Sequence, residues 1–143
     1  MRESRVWQWL EDNRPNWLEI ERFETTLPAG TGDCFLMDTR TVPAITGWLE
    51  LKYCAADERD FIRGYIPKLR PTQPLFLRRM AARGIPSGIL LRAGSQFILW
   101  RSDGTHEWSN LVRGANSRGI ATKVWPSFPN VEAVWDALNP SML

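Results

Sequence analysis

The sequence predicts an α/β domain built on one mixed sheet, and three observations carry that reading. Apolar residues recur at helical spacing near both ends of the chain. Between them lie short alternating or continuous apolar runs, bounded by Gly, Pro, Asn and Asp, as strands are. A length of 143 residues suits a single domain, residues 1–143, with a real core.

Each element follows from a local pattern. "SRVWQWLEDN" sets Val6, Trp7, Trp9 and Leu10 close to helical spacing and runs into Asn13-Arg14-Pro15, a stop, predicting a helix over about residues 3–13. "WLEIERFET" alternates as a strand, with Leu18, Ile20 and Phe23 inward and Glu19 and Glu21 outward. "LPAGTG" is a turn. "DCFLMD" is a short strand and "TGWLELKY" a longer one. Pro67 and Pro71 break any long helix after Cys54, and Thr72 then caps a helix, "QPLFLRRMAARG", that ends at Gly84. "SGILLRAG" and "QFILWR" form a hairpin around Gly94-Ser95. A short helix near Thr105–Val112, a Gly-containing loop and a last helix near Asn130–Leu138 complete the order α-β-β-β-α-β-β with a helical tail.

Composition excludes several classes. The hydrophobic fraction of 43% and charged fraction of 24% are those of a globular protein. No apolar run nears the ~20 residues of a membrane span, and charges interrupt the apolar pattern of the start, unlike a secretion signal. A cytoplasmic location is the expectation. Cys34, Cys54 and the lone His106 lack the spacing of a zinc site, so a bound metal would be oxygen-ligated, Mg²⁺ or Mn²⁺. The thiols are expected reduced. His106, in "SDGTHEW", reads as a surface turn.

The net charge of +2 hides a division. Residues 1–58 carry 11 acids and 6 bases, and residues 59–143 carry 12 bases and 5 acids. Arg59, Arg63, Lys68, Arg70, Arg78, Arg79 and Arg83 face only Asp60 within 59–83. An acidic half beside a basic half suits a cation site next to a polyanion channel. Seven of the eight tryptophans fall in or beside apolar patterns and suit the core or a subunit interface. Trp108, in a polar neighbourhood, suits stacking on an unpaired base.

The chemistry concentrates in "GTGDCFLMDTRTVPAITGWLELKY". Residues two apart on a strand share a face, so Trp48, Glu50 and Lys52 project one way and Leu49, Leu51 and Tyr53 the other. Asp33 opens the preceding strand and lies next to Glu50 if the two strands pair. Two carboxylates and a lysine at one strand edge make a hard-cation site with its own positive charge. Phosphodiester hydrolysis wants that arrangement: a metal polarises the phosphate and acidifies bound water, while the lysine steadies developing charge. A Glu-x-Lys on a half-exposed strand is also common as a plain solvated face.

"GTGD", then "ELK" seventeen residues on, then "RPTQPLFLRRMAARG" and "GILLRAGSQFILWR", resemble a PD-(D/E)XK nuclease over roughly residues 3–101. The pattern is most similar to the small phage-type endonucleases related to Holliday-junction resolvases and the VRR-NUC domain. Gly32 replaces the family's proline before the acid. The resemblance implies a restriction-endonuclease-like α-β-β-β-α-β core with a C-terminal extension over about 102–143. It makes Asp33 and Glu50 the metal ligands, the Leu51 carbonyl a further one, and Lys52 the catalytic lysine. Gln73 matches a glutamine near the scissile phosphate. The remaining acid is Glu3 of the first helix or Glu24 on the strand into the site. Lys68, Arg70, Gln73, Arg78, Arg79 and Arg83 would then grip DNA, giving salt-dependent affinity.

The expectation is a Mg²⁺-dependent, structure-selective DNA endonuclease of phage or bacterial type. On branched or junction DNA it would act as a homodimer, since two symmetric cuts need two sites. The same residues serve an exonuclease, a nicking enzyme or a restriction-like enzyme on duplex or single-stranded DNA. A catalytically idle DNA-binding protein on the same scaffold is the reading from another class.

Overall fold

The computed structural model describes residues 3–23, 34–54, 72–102 and 123–140. Val6 and Leu10, one turn apart on α1 (Glu3–Asn13), are both buried. They face a sheet of six strands: β1 (Leu18–Arg22), β2 (Cys34–Asp38), β3 (Ile45–Cys54), β4 (Ser87–Ala93), β5 (Gln96–Arg101) and β6 (Lys123–Trp125). The strands lie in sequence order, β1-β2-β3-β4-β5-β6. Every neighbouring pair is antiparallel except β3 and β4, which run parallel. Parallel neighbours need a long crossover, and this one contains α2 (Thr72–Ala82). The last helix, α3 (Val131–Leu138), is capped by Asn130, whose side-chain oxygen accepts from the Ala133 N–H at 2.8 Å.

Two apolar clusters fill the two faces. Val6 and Leu10 of α1 join Val131, Val134, Trp135 and Leu138 of α3 over Leu36, Leu49, Leu51, Leu90, Phe97 and Leu99. On the opposite face Leu77 of α2 covers Ile89, Leu91, Ala93, Ile98 and Trp100. β4 is therefore buried on both sides, which explains its unbroken apolar run.

Helix α2 stops at Gly84, whose φ of +80° is the left-handed conformation of a helix-ending glycine. The Gly84 N–H donates to Ala81 O and the Ile85 N–H to Met80 O, each at 3.0 Å. The Ser87 hydroxyl lies 3.0 Å from Leu77 O and 2.9 Å from Ile85 O, tying the end of α2 to the start of β4.

Glycine sets how closely α3 approaches the sheet. A Cβ on Gly47 would stand 2.9 Å from Cζ3 of Trp135, and one on Gly88 would stand 3.1 Å from Cδ1 of Leu138 and 2.6 Å from the Trp100 carbonyl oxygen. The latter is backbone and cannot swing aside. We expect Gly88→Ala to cost about 2 kcal/mol by strain, seen as a lower urea midpoint with an unchanged slope.

The elements read from the sequence over residues 3–101 and the last helix are found in that order, including the hairpin at Gly94, whose φ is +59°. Two local expectations are corrected. Phe23 does not join Leu18 and Ile20 inward: its odd position puts it on the opposite face, against Phe35 and Trp48, and it is 37% exposed. β6 was unexpected, because three residues before Pro126 carry no periodicity. The expected helix near Thr105–Val112 lies outside the described residues. Among the described residues no helix is long and apolar enough to cross a membrane.

Candidate active site

Alternation along β3 does what the sequence implies. Leu49 and Leu51 are buried in the core under α1 and α3, and half-buried Tyr53 packs against it. Trp48, Glu50 and Lys52 take the other face. Lys52 Nζ lies 3.3 Å from Glu50 Oε1, with side-chain exposures of 14% and 2%. This face is not a solvated one. Glu50 stands beside Ile89 and Lys52 beside Leu91 in the β3–β4 register, so the ion pair borders the apolar cluster under α2. A carboxylate in such surroundings is costly without a charged or hydrogen-bonding partner, and Lys52 supplies one.

The pair sits where the sheet changes. Strands β2 and β3 do pair, and their described ladder ends at Cys34 opposite Leu49. Asp33 is the residue before Cys34 and Glu50 the residue after Leu49. Asp33 itself lies outside the described residues, as do Glu24, Lys68 and Arg70. Glu3 is the first residue of α1 and Gln73 lies in the first turn of α2, but their side chains are likewise not described. Arg78 and Arg79 on α2, and Arg83 just beyond it, are exposed. Leu75 of this helix is 44% exposed, whereas Phe76 packs against Trp48. Among the described residues no three His, Cys, Asp or Glu side chains come together as a metal-holding group. Cys34 is a buried thiol outside any disulfide.

A second buried acid had no place in the sequence reading. Asp38, fully buried at the end of β2, accepts from Arg40 Nη2 at 2.7 Å and from Trp135 Nε1 of α3 at 2.9 Å. The Arg40 backbone N–H adds a third bond at 3.0 Å, and the guanidinium stacks 3.6 Å from the Trp17 ring centroid. The Arg40 hydrogen bond holds the Asp38 carboxyl below its ordinary range, against burial, which pushes it up. The Arg40 guanidinium is pushed up in turn, chiefly by the same hydrogen bond. Asp38 opposes Ile45 and so lies toward the far end of β3 from Lys52. Its bonds tie strand to helix, a structural role.

Gln96 also escaped the sequence reading. It is 8% exposed, faces the same side of the sheet as Ile98 and Trp100, and its buried Oε1 has no hydrogen-bond partner among the described residues. An unsatisfied amide oxygen costs stability. We expect Gln96→Met to raise stability by about 1 kcal/mol, measured by thermal or urea unfolding.

No family model, curated protein or solved structure matches the chain.

Proposed function

We propose that this chain is a metal-dependent DNA endonuclease, selective for DNA structure, that hydrolyses backbone phosphodiesters at Glu50 and Lys52. The observation that carries the proposal is the buried Glu50–Lys52 pair, 3.3 Å apart on one face of β3 beside the last described β2–β3 rung. A protein gains little stability from a buried ion pair compared with apolar residues of the same volume. Catalysis is a sufficient reason to keep one.

The donors fit a hard cation. Glu50 offers a carboxylate and Leu51 a backbone carbonyl, and Asp33, which precedes Cys34 in the sequence, is the second carboxylate of this proposal; all are oxygen ligands of the kind Mg²⁺ or Mn²⁺ takes. Glu3 or Glu24 is the remaining acid in this proposal. Such a metal, when bound, polarises the phosphate and lowers the pKa of water. Glu50 holds the cation side of the site, and Lys52, held by Glu50, presents its ammonium to the charge that develops on phosphate oxygens. The exposed Arg78, Arg79 and Arg83 supply phosphate contacts on the flanking backbone. On symmetric junctions the active form would be a homodimer.

The test incubates the protein with a four-way junction, a flap, linear duplex and single strands, with and without Mg²⁺. Cleavage that requires the metal and differs among the substrates is expected. Metal-dependent cutting confined to strand ends would mean an exonuclease. DNA binding with no cutting under Mg²⁺ or Mn²⁺ would mean an idle scaffold and overturn the proposal.

A further inference from the structure

One carboxylate on β3 has two claimants. Glu50 Oε1 lies 3.3 Å from the Lys52 ammonium, and in the proposed site the same carboxylate takes a divalent cation. Two positive groups on one carboxylate repel each other, and the repulsion is strongest where water is scarce. Water is scarce here. The Glu50 side chain is 2% exposed, Ile89 stands beside it in the ladder, and Leu91 stands beside Lys52. Ile89, Leu91 and Leu77 of α2 are each 0% exposed and form one apolar cluster. Among the described residues of β3, β4 and β5 on this face, Glu50 and Lys52 carry the only charges. No neighbouring carboxylate on these three strands can take the ammonium while Glu50 keeps a cation.

The two side chains differ in their freedom to give way. Lys52 ends in an ammonium on a flexible four-carbon stem, and its side chain is 14% exposed, so it has a route to solvent. Glu50 has a shorter stem and is enclosed. The carboxylate is therefore the fixed member of the pair and the ammonium the movable one.

We infer that Lys52 and the divalent cation are alternative partners of the Glu50 carboxylate. Lys52 neutralises Glu50 by itself, gives it up when a cation is bound there, and turns its ammonium outward to the solvent side from which DNA approaches. The inference rests on the nuclease reading and adds a control to it: the ammonium reaches phosphate only in a site that already holds its cation. Cation and DNA then favour each other's binding through one lysine, since such coupling is reciprocal. A lysine with a purely structural role would stay on Glu50 throughout.

The test uses Mg²⁺ alone, without DNA. The chain has three lysines, Lys52, Lys68 and Lys123, so protein labelled with ¹³C at lysine Cε gives three methylene signals to follow by NMR. Saturating Mg²⁺ is expected to shift the Lys52 signal and leave that of Lys123, on β6, in place. Calorimetry then compares variants. Lys52→Met removes the competitor and is expected to bind Mg²⁺ about tenfold more tightly than wild type. Lys52→Arg keeps a positive group beside Glu50 and is expected to show no such gain. Circular dichroism checks that both variants fold; if either does not, the wild-type lysine signal decides by itself. A Lys52 signal that stays in place at saturating Mg²⁺, or a folded Lys52→Met with wild-type affinity, overturns the exchange and leaves the nuclease reading standing. Absence of Mg²⁺ binding in wild type and Lys52→Met alike overturns the nuclease reading itself, and the exchange with it.

Discussion

Replacing Glu50 by Leu and Lys52 by Met together is expected to give a chain that unfolds at a higher temperature than wild type and cuts no DNA. Glu50 is 1% exposed and its neighbours across the ladder are Ile89 and Leu91 beside Lys52. Exchanging a buried ion pair for apolar side chains of similar volume is commonly neutral or stabilising by about 1–4 kcal/mol. Removing one partner acts oppositely. Lys52→Ala removes the ammonium beside a buried carboxylate and should cost about 3 kcal/mol, so it is a poor test of catalysis by itself. Glu50→Gln keeps the shape and should lower cleavage at least about 100-fold, the scale of losing one charge-stabilising group. Circular dichroism melting and a Mg²⁺-dependent cleavage assay read both effects. Wild type should also melt higher with added Mg²⁺, by mass action on the folded state, and the double variant should not. Residual cutting by the double variant would falsify the assignment of the site.

The second large effect concerns stability alone. Asp38→Ala removes the acceptor of Trp135 Nε1 and of Arg40, and leaves an indole N–H buried without a partner. We expect a loss of about 3 kcal/mol. Asp38→Asn should lose less, because an amide oxygen still accepts from the indole. The pH dependence follows from the direction of the shift. The folded carboxyl titrates below its ordinary value of 3.8, so the unfolded chain takes up the proton first as the pH falls. The stability contributed by Asp38 is complete above the unfolded value and disappears as the pH drops through the lowered folded one. Urea midpoints measured from neutral pH into the acid range should show a limb below pH 3.8 that is smaller in Asp38→Asn. An acid limb of equal size in both proteins would show that other carboxylates carry it.

Much of the frame was readable in the residues, for definite reasons. The strand over Ile45–Cys54 announces its two faces because Leu49, Leu51 and Tyr53 alternate with Trp48, Glu50 and Lys52. Gly84 and Asn130 mark helix ends by conformational and capping preference, which are local. What alternation could not convey is that Glu50, on the charged face, is buried too, with Lys52 half-buried beside it. That follows from β4 lying parallel beside β3 and from Leu77 of α2 above it, neither local to "ELK". The Asp38–Arg40–Trp135 tie was illegible for the same reason: its acid and indole are 97 residues apart. Phe23 went astray by parity, since Glu21 and Phe23 share a face and Ile20 does not. Of the predicted site, the Glu50–Lys52 half is in view, and the acids and bases at Asp33, Glu24, Lys68 and Arg70 fall outside the described residues.

The parallel pair β3–β4 has a bearing on how the molecule comes into being. On either side of it the chain folds back on itself in antiparallel order, β1-β2-β3 before and β4-β5-β6 after. Antiparallel neighbours such as β4 and β5 close over a short turn. The join between the halves must bring Trp48 beside Ser87 across the whole intervening chain, and long closures of this kind come slowly. A ribosome delivers the first half alone, with the β4-side edge of β3 unpaired and open to other strands. Glu50 and Lys52 sit on that edge strand, against Ile89 and Leu91 of the second half. A nascent chain therefore carries both residues long before it carries Ile89 and Leu91, and the ladder that joins the two halves also sets the pair beside its apolar neighbours.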